Sequence, residues 1–264
     1  MRDFNYKKKF GQNFLRDNRV VQRIVSETEI PENTLVVEVG PGKGILTQEL
    51  AKVAKNVICY EIDEELETTL INLQSKNDNI EVVFSDFLTR DISVDISKYK
   101  YDHLYFVSNV PYYITTSILM KLMSSEFTFD KITMMIQKEV GDRFSASPGS
   151  KAYSSITVFL NYYYEIKKLF NVGRNEFVPV PNVDSVVVSL IAKKNKLKLN
   201  NEEHFFELVR ESFKFKRKTI KNNLKKYDLE VVSNVLEKNG FSLTSRAEEI
   251  PIEVFVQISN ELNK

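Results

Sequence analysis

Leu35-Val36-Val37-Glu38-Val39-Gly40-Pro41-Gly42-Lys43-Gly44-Ile45-Leu46 is the stretch from which the fold reads outward. A β-branched apolar run enters three alternate glycines, and a helical pattern leaves them over residues 45–53. Glycine between a strand and a helix lets the backbone come close to a ligand, because no Cβ stands in the way. Further strands are expected at 57–61, 80–84, 104–108 and 132–137, with helices at 64–73 and 116–124. These strand runs are mostly continuously apolar rather than alternating, as expected for parallel strands covered on both faces. Residues 154–163 and 185–191 read as two more strands, the second closing the sheet. The β-α-β-α order predicts an α/β fold with a doubly wound sheet.

After residue 191 the texture changes. Residues 193–198 are lysine-rich and read as a linker, and helical periodicity follows at 202–215, 219–225, 229–239 and 252–262. Gly240 suits the C-terminal cap of the third helix and Pro251 the first turn of the fourth. Two domains are therefore expected: residues 1–192 around the sheet, and 193–264 as a small all-helical domain. Residues 193–226 hold twelve Lys or Arg against four Glu, a local net of +8. The rest of the chain then carries −7 against an overall +1. Such asymmetry marks a face for a polyanion.

One cysteine, Cys59, excludes an internal disulfide and any multi-cysteine metal site, and reads as a small buried hydrophobe. Two histidines, His103 and His204, leave zinc hydrolysis and serine–histidine chemistry poorly supplied. No run approaches the ~18 apolar residues of a membrane span. Residues 1–10 are charged and lack the apolar core of a signal peptide. A cytoplasmic monomer without a metal is expected.

The glycine loop reads E-x-G-x-G-x-G rather than the G-x-G-x-x-G of dinucleotide sites, although a NAD site is its obvious competitor. An acid at the head of the loop is common in methyltransferases. Glu61 ends the second strand, where a carboxylate can accept both ribose hydroxyls of a nucleoside. Asp86 ends the third, placed to accept from an adenine amino group. Any one such acid alone reads as a cap for the next helix. Three at successive strand ends beside a glycine loop favour a nucleoside pocket. Gly40, Gly42, Ile62 and Phe87 complete its expected wall.

After the fourth strand comes Asn109-Val110-Pro111-Tyr112. It resembles the N-x-P-Y/F variant of the motif in methyltransferases that modify exocyclic amino groups. The lone pair of adenine N6 is delocalised into the ring, so the amine is a poor nucleophile. The Asn109 side-chain oxygen and the Val110 carbonyl could hold its two hydrogens and turn the lone pair towards the methyl group. Pro111 helps fix the turn, and Tyr112 can stack on an extruded base. Positioning and electrostatics then suffice without a metal or a strong base. Read alone, the tetrapeptide is also an ordinary turn with a packed tyrosine.

Seven stretches together resemble the ribosomal RNA adenine N6-dimethyltransferases over nearly the whole chain. They are GQNFL from Gly11, VVEVGPGKGILTQEL from Val36, NVPYYITTSIL from Asn109 and IQKEVGDRFSASPGSKAYSSITVFLNYY from Ile136. FVPVPNVDSVVVSL from Phe177, FKFKRKTIKNNL from Phe213 and RAEEIPIEVFVQISNEL from Arg246 continue the series. The resemblance implies a class I S-adenosylmethionine-dependent methyltransferase domain, a Rossmann-like seven-stranded sheet, followed by a helical RNA-binding domain. S-adenosylhomocysteine would be the cofactor product. The QKEV, YSSI, FVPVPNVDS and KRKTIKNNL segments are similar to the branch that dimethylates two adjacent adenosines near the 3′ end of small-subunit (16S) rRNA, in an immature 30S-type particle. The branch acting on large-subunit (23S) rRNA and conferring macrolide resistance usually diverges there.

By the same resemblance, cofactor contacts fall on Asn13, Leu15, Gly40, Glu61, Asp86 and Asn109, and base handling on Asn109, Tyr112 and Phe177. Phe177 reads equally well as a core residue before a turn. Lys7, Lys8 and Lys9 form a basic arm, and Lys216, Arg217, Lys218 and Lys221 a basic cluster, both expected on RNA phosphates. Two further readings stay open: a ribosome-assembly factor acting mainly by binding, and a DNA adenine methyltransferase, whose target-recognition domain is missing here.

Overall fold

The computed structural model of the chain describes residues 14–264, so the expected contacts of Lys7, Lys8, Lys9 and Asn13 lie outside the described residues. The chain divides into two compact units. One takes the described residues up to Gly141 together with Lys167–Ala192, and the other Asp142–Ile166 together with Lys193–Lys264.

The first unit begins with β1 (Phe14–Leu15), α1 (Asn18–Thr28), β2 (Thr34–Val39), α2 (Ile45–Ala51) and β3 (Asn56–Glu61). It continues with α3 (Glu67–Gln74), β4 (Ile80–Phe84), α4 (Ser93–Ile96), β5 (His103–Asn109), α5 (Thr115–Ser124) and β6 (Lys131–Gln137). After α6 (Lys138–Phe144) and α7 (Ser155–Tyr163) come β7 (Tyr164–Val172), β8 (Phe177–Val178) and β9 (Ser185–Ala192). Seven strands form one sheet in the order β4-β3-β2-β5-β6-β9-β7, and β1 pairs with β8 in a separate ribbon. The β2–β3, β3–β4, β2–β5 and β5–β6 pairs are parallel, while β9 runs antiparallel to β6. Strand order turns back between β2 and β5, the place where open α/β sheets bind ligands beyond their strand ends.

The central strands are apolar on both faces because both are covered. Val36, Val37, Val57, Ile58, Phe106 and Val107 are fully buried, and each such side chain contributes roughly 1.5–3 kcal/mol of transfer free energy. Cys59 is buried among them, as its apolar run implies. β7 ends the sheet and was not legible as a strand. Its Lys167 and Lys168 are exposed and break the apolar alternation, a charge placement that protects an edge from pairing with another chain.

The second unit is helical. Besides α7 it holds α8 (Glu202–Ser212), α9 (Ile220–Asn223), α10 (Leu229–Lys238) and α11 (Ile252–Leu262). The Asn201 side chain caps α8, and the Asp228 side chain caps α10 by accepting from Glu230 and Val231 N–H. Gly240, at φ +79°, ends α10 as expected.

Residues 154–163 are not the strand that their β-branched and aromatic content predicts. They form α7, started by a capping box in which the Ser154 N–H donates to Thr157 Oγ1 at 3.1 Å. Val158, Phe159, Leu160 and Tyr162 are all buried. Phe159 meets Phe206 with ring centroids 4.8 Å apart, and Tyr162 meets Phe205 at 5.4 Å. A helix enclosed by other helices is apolar all round, and its sequence loses the 3.6-residue signature. Burial of α7 against α8 and α11 draws residues 142–166 into the helical unit, so the division departs from a single boundary after residue 192.

Candidate active site

The glycine loop is built from backbone geometry that side chains rarely adopt. Gly40, Gly42 and Gly44 have φ of +69°, +60° and +76°. A Cβ on Gly44 would stand 2.5 Å from Leu73 Cδ2, so a larger residue there would have to displace the Leu73 side chain. Gly40 N–H donates to Tyr60 O at 2.8 Å, which ties the loop to β3. On its other side, the Cβ position of Gly40 lies 3.6 Å from Pro111 Cδ. The glycine loop and the Asn-Val-Pro-Tyr turn, seventy residues apart in the chain, are therefore packed together. Ser108 Oγ fixes them further by donating to Val39 O at 2.6 Å.

Between these loops, at the C-terminal ends of β2 to β5, lies a cavity of about 360 Å³, within the ~300–1,000 Å³ of small-molecule sites. Leu15, Gly40, Gly42, Glu61, Ile62, Asp86, Phe87, Asn109, Val110, Pro111 and Tyr112 all line it. Phe177, expected against the target base, does not. It is fully buried in the hydrophobic core, opposite Leu15 in the β1–β8 ribbon, where an apolar ring gains more from packing than from an open mouth.

Glu61 is nearly buried and accepts three backbone N–H bonds, from Ile62 and Asp63 at 2.9 Å to Oε1 and from Gly42 at 3.1 Å to Oε2. Burial pushes its pKa up, against the pull of those donors. Of the roughly four acceptor sites on a carboxylate, three are taken. Asp86 accepts Leu88 N–H on Oδ1 at 2.8 Å, closing a turn at the end of β4.

The segment after Asp86 is held by residues that sequence reading missed. Lys121 Nζ lies 5.5 Å from the Phe87 ring centroid and donates to Leu88 O at 3.1 Å and to Arg90 O. The buried Asp95 accepts two bonds from Arg90, at 2.8 and 2.9 Å, and one from Tyr60 Oη at 3.1 Å. Phe87 packs edge-on against Tyr60, centroids 5.2 Å apart. Arg90 holds the Asp95 carboxyl below its usual range, so it stays ionised.

Asn109 ends β5 opposite Met135, and Val110 is buried. Pro111 opens a 3-10 turn over Tyr112–Ile114. The Tyr112 hydroxyl shares a 2.6 Å hydrogen bond with Ser185 Oγ at the start of β9, which pins the ring in one orientation. Burial raises the Tyr112 pKa, so the hydroxyl is neutral. Tyr113, also missed, lines the same cavity and is largely exposed; its only signal was its place after the motif.

Glu38, at the head of the loop, is buried and accepts Thr47 Oγ1 at 2.7 Å and Cys59 Sγ at 3.5 Å on Oε2. Burial pushes its pKa up to about 7. In the second unit Lys216, Arg217, Lys218 and Lys221 are all exposed.

A cavity of this size, lined by the carboxylates of Glu61 and Asp86 and by positive-φ glycines, suits a nucleoside bearing a short charged tail. Comparison with known proteins gives the same direction. The family model described as ribosomal RNA adenine dimethylase matches residues 3–264. The chain is 39% identical over 267 residues to the ribosomal RNA small subunit methyltransferase A of Staphylococcus haemolyticus, covering 98% of this chain and 90% of that one. To the protein of the same name from Staphylococcus aureus it is 40% identical, covering 99% and 91%. Among solved structures it is similar to the 23S rRNA methyltransferase ErmE, with 30% identity and TM-score 0.74 over 96% of this chain and 100% of that one. It is also similar to a dimethyladenosine transferase from Plasmodium falciparum, with 27% identity and TM-score 0.78 over 95% and 97%. The fold is that of the class I S-adenosylmethionine-dependent methyltransferases, with a helical C-terminal portion, and the chain belongs to the ribosomal RNA adenine dimethylase family.

Proposed function

We propose that this chain transfers methyl groups from S-adenosylmethionine to N6 of two adjacent adenosines near the 3′ end of small-subunit (16S) rRNA, giving N6,N6-dimethyladenosines during ribosome biogenesis. The observation that carries the reading is the convergence of the Asn109–Tyr112 turn on the cavity that Glu61 and Asp86 also line. S-adenosylmethionine, when bound, supplies an electrophilic methyl group on a sulfonium. Glu61 would hold the ribose, Asp86 the adenine amino group, and Gly40 and Gly42 would admit the tail by close backbone approach. Ile62 and Phe87 would flank the adenine ring, with Leu15 at the wall.

Asn109 Oδ1 and the Val110 carbonyl accept the two N6 hydrogens of the target adenine. Hydrogen bonding to both draws the nitrogen lone pair out of conjugation, and orientation does the rest. Tyr112 stacks on the extruded base, its ring held by Ser185. In the helical unit Lys216, Arg217, Lys218 and Lys221 bind RNA phosphates. The protein acts in the cytoplasm as a monomer on an immature 30S-type particle. Among the described residues no helix is long and apolar enough to cross a membrane.

A second reading, a large-subunit (23S) enzyme, draws on the likeness to ErmE at 30% identity. The 39–40% identity to the small-subunit proteins ranks it lower. Mass spectrometry of both ribosomal RNAs, after incubation of immature subunits with the protein and labelled S-adenosylmethionine, separates the two. Two neighbouring dimethyladenosines near the small-subunit 3′ end are expected. A single modified adenosine in large-subunit RNA would select the second reading, and absence of transfer would overturn both.

A further inference from the structure

Between Ser212 and Tyr227 the chain carries seven Lys or Arg and no acid. Two phenylalanines sit in the same stretch, and the structure treats them in opposite ways. Phe213 packs into the helical unit, its centroid 5.8 Å from Phe255 and 6.0 Å from Tyr153. Phe215 is 58% exposed, with Lys214, Lys216, Arg217 and Lys218 exposed around it.

The exposure is built, not loose. The Phe215 carbonyl accepts Lys218 N–H at 2.8 Å, which closes a turn over residues 215–218. The buried Asn223 donates from Nδ2 to Ser212 O at 2.7 Å and to Phe215 O at 3.4 Å, fastening the turn from beneath. Ile220 and Leu224 anchor the far side in the core. Lys214 pairs with Glu211, but Lys216, Arg217 and Lys218 have no carboxylate partner among the described residues. A turn fastened by hydrogen bonds thus holds one large apolar ring in water, beside three cations without a carboxylate partner among the described residues.

We infer that Phe215 is a stacking platform for one unpaired base of the RNA substrate. This rests on RNA being the substrate, as proposed above. Cations unopposed by acids select a polyanion, and lysine and arginine account for its phosphates. A phenyl ring offers phosphate nothing. It gains only from an apolar face, and in RNA such faces are open in loops, bulges and ends, since paired bases hide theirs in the helical stack. The platform therefore directs the cluster to single-stranded or junction RNA rather than to a continuous duplex.

The chain has no tryptophan, so Phe215→Trp places its single indole fluorophore at the platform. Binding of parent, Phe215→Ala and Phe215→Trp to unmethylated small subunits, and to deproteinised small-subunit RNA, is measured across salt concentrations. Phe215→Ala is expected to bind about five- to a hundred-fold more weakly, the range that stacking on one base spans, with an unchanged salt slope and unchanged thermal melting. Phe215→Trp is expected to bind like the parent and to be quenched by both subunits and bare RNA. Parental affinity in Phe215→Ala would overturn the inference. So would a blue shift without quenching that needs intact subunits, which would place a ribosomal protein on the ring instead. Failure of the parent itself to methylate subunits would overturn the proposed function, a result separable from either.

Discussion

The cavity of the sheet unit and the basic turn of the helical unit solve opposite problems. In the cavity two acids, the buried Glu61 and the half-buried Asp86, are tied to backbone, Glu61 by three N–H donors and Asp86 by one. On the turn the charged groups are cations, exposed, with backbone and the buried Asn223 serving only to fix the turn's shape. A buried group acts at short range in a medium of low dielectric, where its position decides its effect. An exposed cation acts through counterion release, where number matters more than position. Substitutions in the first region should therefore change turnover, and in the second the salt dependence of binding.

The sharpest way to break this contrast is Asn109→Ala. Loss of one preorganised acceptor is expected to lower single-turnover methyl transfer by about 10²–10³-fold with subunit affinity retained. Transfer within tenfold of the parent would remove Asn109 from the chemistry. On the other side, replacing Lys216, Arg217 and Lys218 together by Glu should weaken subunit binding at least about tenfold. The log–log salt slope should fall by about two to three, at ~0.7–0.9 per phosphate contact. A parental slope would show that the cluster faces solvent.

A smaller effect tests whether orientation alone matters in the cavity. Tyr112→Phe keeps the ring and removes the 2.6 Å bond to Ser185, worth roughly 0.5–1.5 kcal/mol. Turnover should fall only a few-fold, whereas Tyr112→Ala should lower it sharply with cofactor binding nearly intact. Equal losses in the two variants would shift the role from the ring to the hydroxyl.

The smallest effect concerns Glu38. Its folded-state pKa, near 7, stands above its ordinary 4.5, so the folded chain holds this proton more tightly than the unfolded chain does. Stability from this group is complete below pH 4.5 and declines as pH rises towards 7. Glu38→Gln keeps the size and an acceptor for Thr47 and removes the titration. The melting temperature of the variant, relative to the parent, should climb by a few degrees between pH 4.5 and 7; a constant difference would show that Glu38 titrates alike in the folded and unfolded chains.

Much of the cavity's lining is legible in the sequence. Three glycines with positive φ, acids at strand ends and a proline-held turn are local constraints of backbone conformation, and these are written in residue types. The continuous apolar strands were legible for a related reason: coverage on both faces leaves no alternation to interrupt. Helix α11 emerged at residues 252–262 as expected because it presents one buried stripe to its neighbours. Helix α7 did not, since enclosure on every side leaves no stripe to read and its β-branched residues then mislead.

What the sequence determined by itself was the alternation of strands and helices from β2 to β6, the glycine loop and the proline-held turn at Asn109 to Tyr112. The tertiary structure alone decided the rest. It put Phe177 in the core and Tyr113 at the cavity, bound Ser185 to Tyr112 across seventy-three residues, and set Lys121 beneath the Asp86 turn. It also packed Phe213 against Phe255 while leaving Phe215 in water, two residues further on in the same lysine-rich run. The physical reason is one of range. Conformational preference acts over a few residues, whereas burial and hydrogen-bond pairing depend on which distant segments the packed sheet and helices bring together.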